Sequence, residues 1–197
     1  MPARISLPPL RKSGGSRPRT RQNRESEVEK LAREADATAL FATQQQGRCV
    51  FLCQSLATDA AEEAYYLGTE HHLHSTAFGR ALLAHLPAEI VDDVLDRHGL
   101  PDAQSEADGD REALEATLAE VREQGFAYGC DGPGDEACSI AAPVVLDRGR
   151  ETVGAIGIVG REEEIPNPGS HIKAQRFAES PATIVKRYAQ ILRNKVS

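Results

Sequence analysis

The apolar positions of the chain follow helical spacing in five segments. They lie three and four residues apart in Ser26–Asp36, Ser75–Leu86, Ala88–Arg97 and Arg111–Gln124, and again between Phe177 and Leu192. Such a stripe predicts an amphipathic helix with one buried face. Pro87, Gly99 and Gly125 stand where the second, third and fourth helices should end. Pro181 is expected to start or kink the last helix.

Short apolar runs between turn residues predict strands. They are Thr38–Thr43, Cys49–Cys53, a weaker run at Glu63–Gly68, the FAY stretch from Phe126, and the runs CSIAAPVVL and ETVGAIGIVG from Cys138 and Glu151. The first two are joined by QQQGR and the last two by Asp147–Arg150, so each pair should form an antiparallel hairpin. Hairpins mixed with helices, without a repeated β-α-β unit, predict an α+β domain in which helices pack on an antiparallel sheet.

Length and composition limit the class of protein. The 197 residues suffice for one domain with a sizeable core, and the longest apolar stretches fall far short of the roughly 18 residues of a membrane helix. The basic N-terminus lacks the apolar core of a signal peptide, so we expect a cytoplasmic protein with no membrane partner. The four cysteines, Cys49, Cys53, Cys130 and Cys138, form no CxxC pair and are too sparse for a disulfide-stapled domain, so we expect reduced thiols.

Charge divides the chain into a basic segment and an acidic remainder. Residues 1–24 combine Pro, Gly, Ser and Arg without periodicity and hold seven of the 23 basic residues and none of the 30 acidic ones. We expect a loosely attached arm there, and a folded domain over residues 25–197, whose 16 basic and 30 acidic residues give a net charge of −14. Such a body repels phosphate backbones. Only five basic residues are lysine, which suggests a salt-rich cytoplasm, although ordinary acidic solubility is the alternative.

The start of the second predicted helix is the first candidate site. Ser75 stands where the helix should begin, and small residues follow it up to Gly79. Backbone amides at a helix N-terminus point outward and favour an anion, so this segment suits a small carboxylate. Gly79 has no side chain to block an approaching ligand. The alternative is that Ser75 is an ordinary N-cap.

The turn-rich segment Gly129–Ala137 and the strand after it form the second candidate site. Its glycines allow a ligand to approach the backbone closely, and Cys138 begins the flanking strand. The Cys138 thiol is either a pocket wall or a small buried hydrophobe. No histidine or lysine nearby in the sequence would activate it as a nucleophile.

Three histidines form the third candidate, a metal site. In an extended segment His72 and His74 share a face while His71 points away, and Cys49 and Cys53 should also share a face of their strand. The two pairs would complete a four-ligand zinc site, but the spacing matches no standard zinc motif. Hydrogen-bonded or exposed histidines are the alternative. The sequence has no GxSxG, P-loop, HExxH or dinucleotide motif, so we expect neither an enzyme nor a cofactor.

Three segments in register resemble one protein family, the IclR-type transcription regulators, in their effector-binding C-terminal domain. Leu73–Ala84 (LHSTAFGRALLA) is similar to the signature (L/P)-H-A-T-A-x-G-(K/R)-A-x-L-A, and Gly125–Ala127 to G-(Y/F)-A. Cys138–Val144 is similar to C-x-A-A-P-(V/I) with one extra residue, Ile140. The likeness covers roughly Arg21 to Ser197, and the acid-rich composition resembles salt-adapted archaeal members. It implies a GAF-like fold and a homodimer or homotetramer that binds a small organic effector.

The resemblance also implies where an effector binds. In the family the helix start is one wall of the pocket, where small or aromatic acids meet backbone amides, and the strand at Cys138 is the opposite wall. The implied effector site comprises Leu73, Ser75, Thr76, Ala77, Phe78, Gly79, Gly129, Asp131, Cys138, Ser139, Gly157 and Val159.

This sequence departs from the family pattern at the pocket. Gly129 stands in the acidic run that usually follows G-(Y/F)-A, with Asp131 as the nearest substitute. Gly157 and Val159 occupy positions that are often serine in sensors of small acids. A lost hydroxyl removes roughly 1 kcal/mol of net hydrogen bonding, so we expect a more apolar ligand or the loss of the family ligand.

The largest departure lies upstream. Family members bind DNA through an N-terminal winged helix-turn-helix, and residues 1–24 resemble only the end of its wing and a linker, so we expect no specific DNA binding by this chain alone. The leading hypothesis is a ligand-sensing domain that self-associates or pairs with full-length relatives. The alternatives are a metal-dependent or thiol enzyme using His71, His72, His74 and Cys138, and a structural oligomerisation module with a vestigial pocket.

Overall fold

The computed structural model describes residues 18–56, 67–100, 111–130, 137–146, 152–165, 167–168 and 180–196. In chain order these residues form α1 (Pro18–Ala35), β1 (Thr38–Gln45), β2 (Arg48–Ser55), β3 (Glu70–His72), α2 (Ala77–Leu83), α3 (Ala88–His98), α4 (Arg111–Gln124), β4 (Ala127–Gly129), β5 (Ala137–Val145), β6 (Thr152–Arg161) and α5 (Pro181–Val196). The strands form one antiparallel sheet in the order β3-β2-β1-β6-β5-β4. The predicted α+β class is therefore confirmed.

Both predicted hairpins are present in the sheet. β1 and β2 are joined by Gln46 and Gly47, whose φ angles of 52° and 83° suit the tight two-residue turn that matches strand twist. β5 and β6 pair from Ala137↔Arg161 onwards. Their predicted connection, 147–150, lies outside the described residues, as does most of the weak strand predicted at Glu63–Gly68.

The sheet separates two apolar layers. On one face α2, α3 and α4 cover side chains such as Leu40, Ala141 and Val159. On the other face α1 and α5 cover Ile140, Ile158 and their neighbours. Each large aliphatic side chain buried in this way contributes about 1.5–3 kcal/mol to folding, which explains why both helical layers stay on the sheet. None of the described helices is long and apolar enough to cross a membrane.

A β-bulge in β2 changes which face its residues occupy. Phe41 pairs with Cys53 and Ala42 with Phe51, so Leu52 is an extra residue, 38% exposed. An extra residue inverts the alternation of side chains beyond it. Cys49 therefore packs in the α2 layer and Cys53 in the α1 and α5 layer. The expectation that the two cysteines share a face was wrong for this reason.

Helix α1 begins eight residues before the predicted start at Ser26. Its first turns carry no apolar stripe and are held by polar contacts instead. Arg21 Nε lies 2.8 Å from Glu25 Oε1, the Asn23 side chain donates to the carbonyl of Lys195, and the Arg24 guanidinium lies over the Phe41 ring. Residues 18–24, expected to belong to a loose arm, are thus helical, and residues 1–17 of that arm lie outside the described residues.

Candidate functional site

The turn before α2 differs from the expected helix start. Thr76, not Ser75, is the N-cap, because its backbone is extended and its Oγ1 accepts a hydrogen bond from the Gly79 amide at 2.9 Å. Ser75 Oγ donates to the His72 carbonyl at 3.0 Å, which closes the preceding turn. The helix itself has seven residues and ends at Leu83, short of the predicted Leu86. The Gly79 amide is therefore occupied by the protein itself.

Gly79 is required by chain packing. A Cβ on Gly79 would lie 2.2 Å from the carbonyl oxygen of Leu73, far inside van der Waals contact. The space beside Gly79 is filled by the backbone of the preceding turn. The expectation that Gly79 leaves room for a ligand was therefore wrong.

The side chains at the start of α2 belong to the core. Leu73, Ala77 and Phe78 are at most 1% exposed, and Thr76 is 4% exposed. The ring of Phe78 packs edge-on against Phe51 at a centroid distance of 5.2 Å. These residues therefore serve core packing and offer few polar groups.

Three of the implied site residues lie in one row across the sheet. Gly129 of β4 pairs with Ser139 of β5, and Ser139 pairs with Val159 of β6. Ser139 Oγ lies 3.5 Å from the Gly129 carbonyl oxygen, and Ser139 and Val159 are each 4% exposed. The row faces α2, which packs over β4, β5 and β6. The structure therefore brings the two proposed walls together.

Cys138 lies on the opposite face of the sheet from Ser139. Successive strand residues alternate, and Cys138 packs with Ile140 and the α1 and α5 layer. Its sulfur is bonded to Cys130 in a disulfide, so the expectation of reduced thiols was wrong for this pair. Asp131 lies outside the described residues.

Cys49 and Cys53 are free thiols without activation. Burial raises the pKa of Cys49 to about 12 and that of Cys53 to about 11. A hydrogen bond with Thr76 favours the thiolate of Cys49 but does not offset burial. Neither thiol is a nucleophile near neutral pH, since the thiolate is the reactive form.

Arg80 links the turn before α2 to strand β4, and it was not among the expected site residues. Its Nη1 donates to the His74 carbonyl at 2.9 Å and its Nη2 to the Tyr128 carbonyl at 3.1 Å. One guanidinium thus ties the turn before α2 to strand β4. The available signal was the basic position of the signature, immediately after Gly79.

The far end of α2 is held in a similar way by other elements. Arg122 Nε of α4 donates to the Ala84 carbonyl at 2.6 Å, and Thr152 Oγ1 of β6 donates to the His85 carbonyl at 3.1 Å. Carbonyls at a helix C-terminus lack partners within the helix, so these side chains satisfy groups that burial would otherwise leave unpaired.

The histidines are placed as the sequence predicted, but the metal hypothesis is not supported. The rings of His72 and His74 lie 5.3 Å apart, whereas His71 packs on Phe51 and its Nε2 lies 3.0 Å from Thr69 Oγ1. Burial lowers the pKa of His71. Among the described residues no group of three or more His, Cys, Asp or Glu side chains is arranged to hold a metal ion. For His71 the alternative of a hydrogen-bonded histidine fits this geometry.

Comparison with known proteins agrees with the resemblance. The family model described as bacterial transcriptional regulator IclR C-terminal matches residues 17–179. The chain is 29% identical over 165 residues to the probable HTH-type transcriptional regulator ArcR of Halobacterium salinarum, covering 81% of this chain and 59% of ArcR. It is 30% identical over 144 residues to the glycerol operon regulatory protein of Streptomyces griseus, covering 71% of this chain and 54% of that protein. The chain thus spans between half and three fifths of these relatives.

Solved structures share the fold. A putative transcriptional regulator from a Rhodococcus species superimposes with a TM-score of 0.76 at 19% identity, covering 90% of this chain and 68% of that one. An IclR homologue from Microbacterium hydrocarbonoxydans, complexed with 4-hydroxybenzoate, gives 0.72 at 20% identity with the same coverage. The IclR of Thermotoga maritima gives 0.74 at 16% identity, again with 90% and 68% covered. The chain therefore belongs to the IclR family of transcription regulators and contains its C-terminal domain.

Proposed function

We propose that this chain senses a small carboxylic acid with an apolar or aromatic body, and that the acid binds between the turn before α2 and the row formed by Gly129, Ser139 and Val159. The observation that carries the proposal is this row, which places one buried hydroxyl, that of Ser139, beside apolar neighbours on the face covered by α2. Ligand pockets are mostly apolar with a few well-placed polar groups.

The chemical class of the ligand follows from the lining and from one relative. Val159 and the buried Phe78 favour a ligand with an apolar body over a small hydrophilic acid. The homologue complexed with 4-hydroxybenzoate supports an aromatic acid as the first candidate. In this proposal Ser139 contacts the ligand, whereas Cys138, on the other face, does not.

Binding is proposed to act through subunit association, in a homodimer or homotetramer or with longer relatives. Leu52, Leu56 and Leu67 are 38%, 52% and 57% exposed, and the Gly68 amide donates to the Phe51 carbonyl, so Leu67 lies beside the bulge of β2. Exposed apolar surface of this kind is commonly buried when protein subunits associate. Sedimentation velocity should show the oligomer of the wild type and a smaller species for Leu67→Glu; an unchanged species would remove this surface from the interface.

Thermal unfolding with a panel of acids tests the effector proposal. The panel contains 4-hydroxybenzoate, benzoate, acetate and the uncharged analogue benzyl alcohol. A ligand that binds only the folded state raises Tm as its concentration rises. At a ligand concentration of a hundred times Kd, the free energy of unfolding increases by about 2.7 kcal/mol. We expect an aromatic acid to raise Tm, Ser139→Ala to reduce the rise, and Ser26→Ala on α1, across the sheet, to leave it unchanged.

The negative outcome of this panel also has a clear meaning. If no acid raises Tm although the protein is folded, the pocket is vestigial and the structural oligomerisation module becomes the better hypothesis. An enzyme is not proposed, because the matched family and its named members are transcription regulators.

A further inference from the structure

The disulfide between Cys130 and Cys138 lies at the open end of the ladder between β4 and β5. The paired positions run Ala127↔Ala141, Tyr128↔Ile140 and Gly129↔Ser139, and the next facing pair is the two cysteines. β4 has three residues and, among the strands that the structure describes, lies at the end of the sheet beside β5. A covalent bond therefore closes the ladder one step beyond Gly129 and Ser139.

The two sulfur atoms differ in their surroundings. Cys130 is an exposed residue, whereas Cys138 is fully buried under the α1 and α5 layer. The Tyr128 hydroxyl lies 3.0 Å from Cys130 Sγ. A thiol in solution therefore reaches the Cys130 sulfur first. Cys49 and Cys53 are buried in the two separate core layers, away from this exchange.

We propose that Cys130 and Cys138 are a reversible redox-modification site that fixes strand β4 against β5. In the oxidised form the bond holds Gly129 opposite Ser139. In the reduced form β4 is held by noncovalent contacts, which include three residue pairs with β5, the hydrogen bond from Ser139 to the Gly129 carbonyl and the contact of Arg80 with Tyr128. The consequence for ligand affinity rests on the proposed function, because Gly129 and Ser139 belong to the proposed effector site.

A small-molecule thiol such as glutathione is the reductant in this exchange. Its thiolate attacks Cys130 Sγ, a mixed disulfide forms, and the Cys138 sulfur leaves and takes up a proton. A second thiol attacks the mixed disulfide, releasing the Cys130 thiol and one oxidised small-molecule disulfide. The protein gains two electrons and two protons, and the reverse exchange with oxidised glutathione restores the bond. Disulfides in compartments kept reduced are mostly transient or redox-sensing, which suits such a pair.

Thiol counting tests the bond directly. Protein equilibrated with oxidised glutathione is unfolded without reductant and alkylated, and then compared with protein reduced by dithiothreitol. We expect two alkylated cysteines in the first sample and four in the second, and a peptide map that joins Cys130 to Cys138. Four alkylated cysteines in the oxidised sample would overturn the proposal.

Hydrogen exchange tests the effect on β4 without any ligand. On reduction the amides of β4 and of Ser139 should exchange at least several-fold faster, and Tm should fall by about 5 °C, since a short cross-linked loop restricts the unfolded chain. The double variant Cys130→Ser with Cys138→Ala should behave like the reduced form under both conditions. Cys53→Ala is the matched control and should keep the full redox response. A bond that forms without changing exchange at β4 would overturn the proposal.

Titration with 4-hydroxybenzoate in both redox states then distinguishes the redox-site proposal from the effector proposal. Binding that is weaker after reduction, by threefold or more, supports both proposals. If β4 responds to reduction but no acid binds in either state, the proposed effector function fails while the redox site stands.

Discussion

The ring of Phe78 fills the space above Gly157. A Cβ on Gly157 would approach Phe78 Cζ to 2.8 Å and the Ile140 carbonyl oxygen to 2.3 Å, so glycine is the residue that allows α2 to lie this close to the sheet. A serine, expected at this position in relatives that sense small acids, has no room here. The Phe78 ring occupies the space that a side chain at residue 157 would need, which makes the proposed site more apolar.

Phe78→Ala should leave a cavity above Gly157. Loss of a buried phenylalanine costs about 3–5 kcal/mol of unfolding free energy, which urea denaturation measures. Because empty apolar cavities bind small aromatic molecules, benzene should raise the Tm of this variant and not that of the wild type. Equal responses of the two proteins would contradict the packing described here.

Gly79→Ala should destabilise the domain. The new Cβ meets the Leu73 backbone, which cannot rotate away, so we expect a loss of at least about 2 kcal/mol by analogy with overpacked cores. Gly160→Ala on β6 is the control, because its closest neighbour at 2.9 Å is the flexible end of the Glu164 side chain. Equal unfolding midpoints of the two variants in urea would refute the assignment of Gly79 to packing.

Arg80→Gln should loosen the link between the turn before α2 and β4. Two hydrogen bonds from a charged donor are lost and two carbonyls lose a partner, which costs about 1–3 kcal/mol. Hydrogen exchange of β4 amides should accelerate, and any response to aromatic acids should weaken. Arg97→Gln, whose partner is the exposed Asp93, is the control and should change neither. Unchanged exchange in Arg80→Gln would show that the guanidinium does not hold β4.

Glu27 should make the stability of the domain depend on pH. Burial raises the pKa of this carboxyl, but hydrogen bonds and charge from Lys195 and Lys30 outweigh it, so the pKa in the folded protein is lowered from its ordinary value of 4.5. A lowered pKa gives stability that is fully present above the ordinary pKa and is lost as the pH falls through the folded value.

Glu27→Gln should remove this dependence. Urea unfolding between pH 7 and pH 3 should show a variant that is less stable than the wild type at pH 7, by about 1–3 kcal/mol, with the difference shrinking below pH 4.5. Glu29→Gln, exposed on the same helix, should follow the wild type. A difference that stays constant over this range would mean that the charge of Glu27 is not the stabilising element.

The elements that local pattern determines were predictable. The hairpin from Thr38 follows from two short apolar runs and a turn residue that adopts positive φ, and α4 follows from its stripe and Gly125. The start of α1 was not, because Asn23 is held by a carbonyl 172 residues away and its own turn carries no apolar pattern. The bulge at Leu52 depends on how β1 and β2 meet, which neither strand shows alone.

The candidate site was predictable in part. The resemblance pointed to both segments that the structure brings together, and strand alternation alone would have shown that Cys138 and Ser139 face opposite ways. The cap at Thr76 and the contact of Gly79 with Leu73 depend on how the turn folds back, which no motif records. The effector residues themselves stay a prediction until a ligand is bound.

The extra residue at Leu52 changes which positions of β2 face each apolar layer. Before it, Cys49 and Phe51 pack in the layer of α2, whereas after it Cys53, two residues further on, packs in the layer of α1 and α5. Relatives that lack this residue should therefore carry a one-residue deletion in β2. Their apolar pattern on one side of the gap should be shifted by one position. An alignment based on residue identity alone would therefore assign the residues of that half of the strand to the wrong face of the sheet.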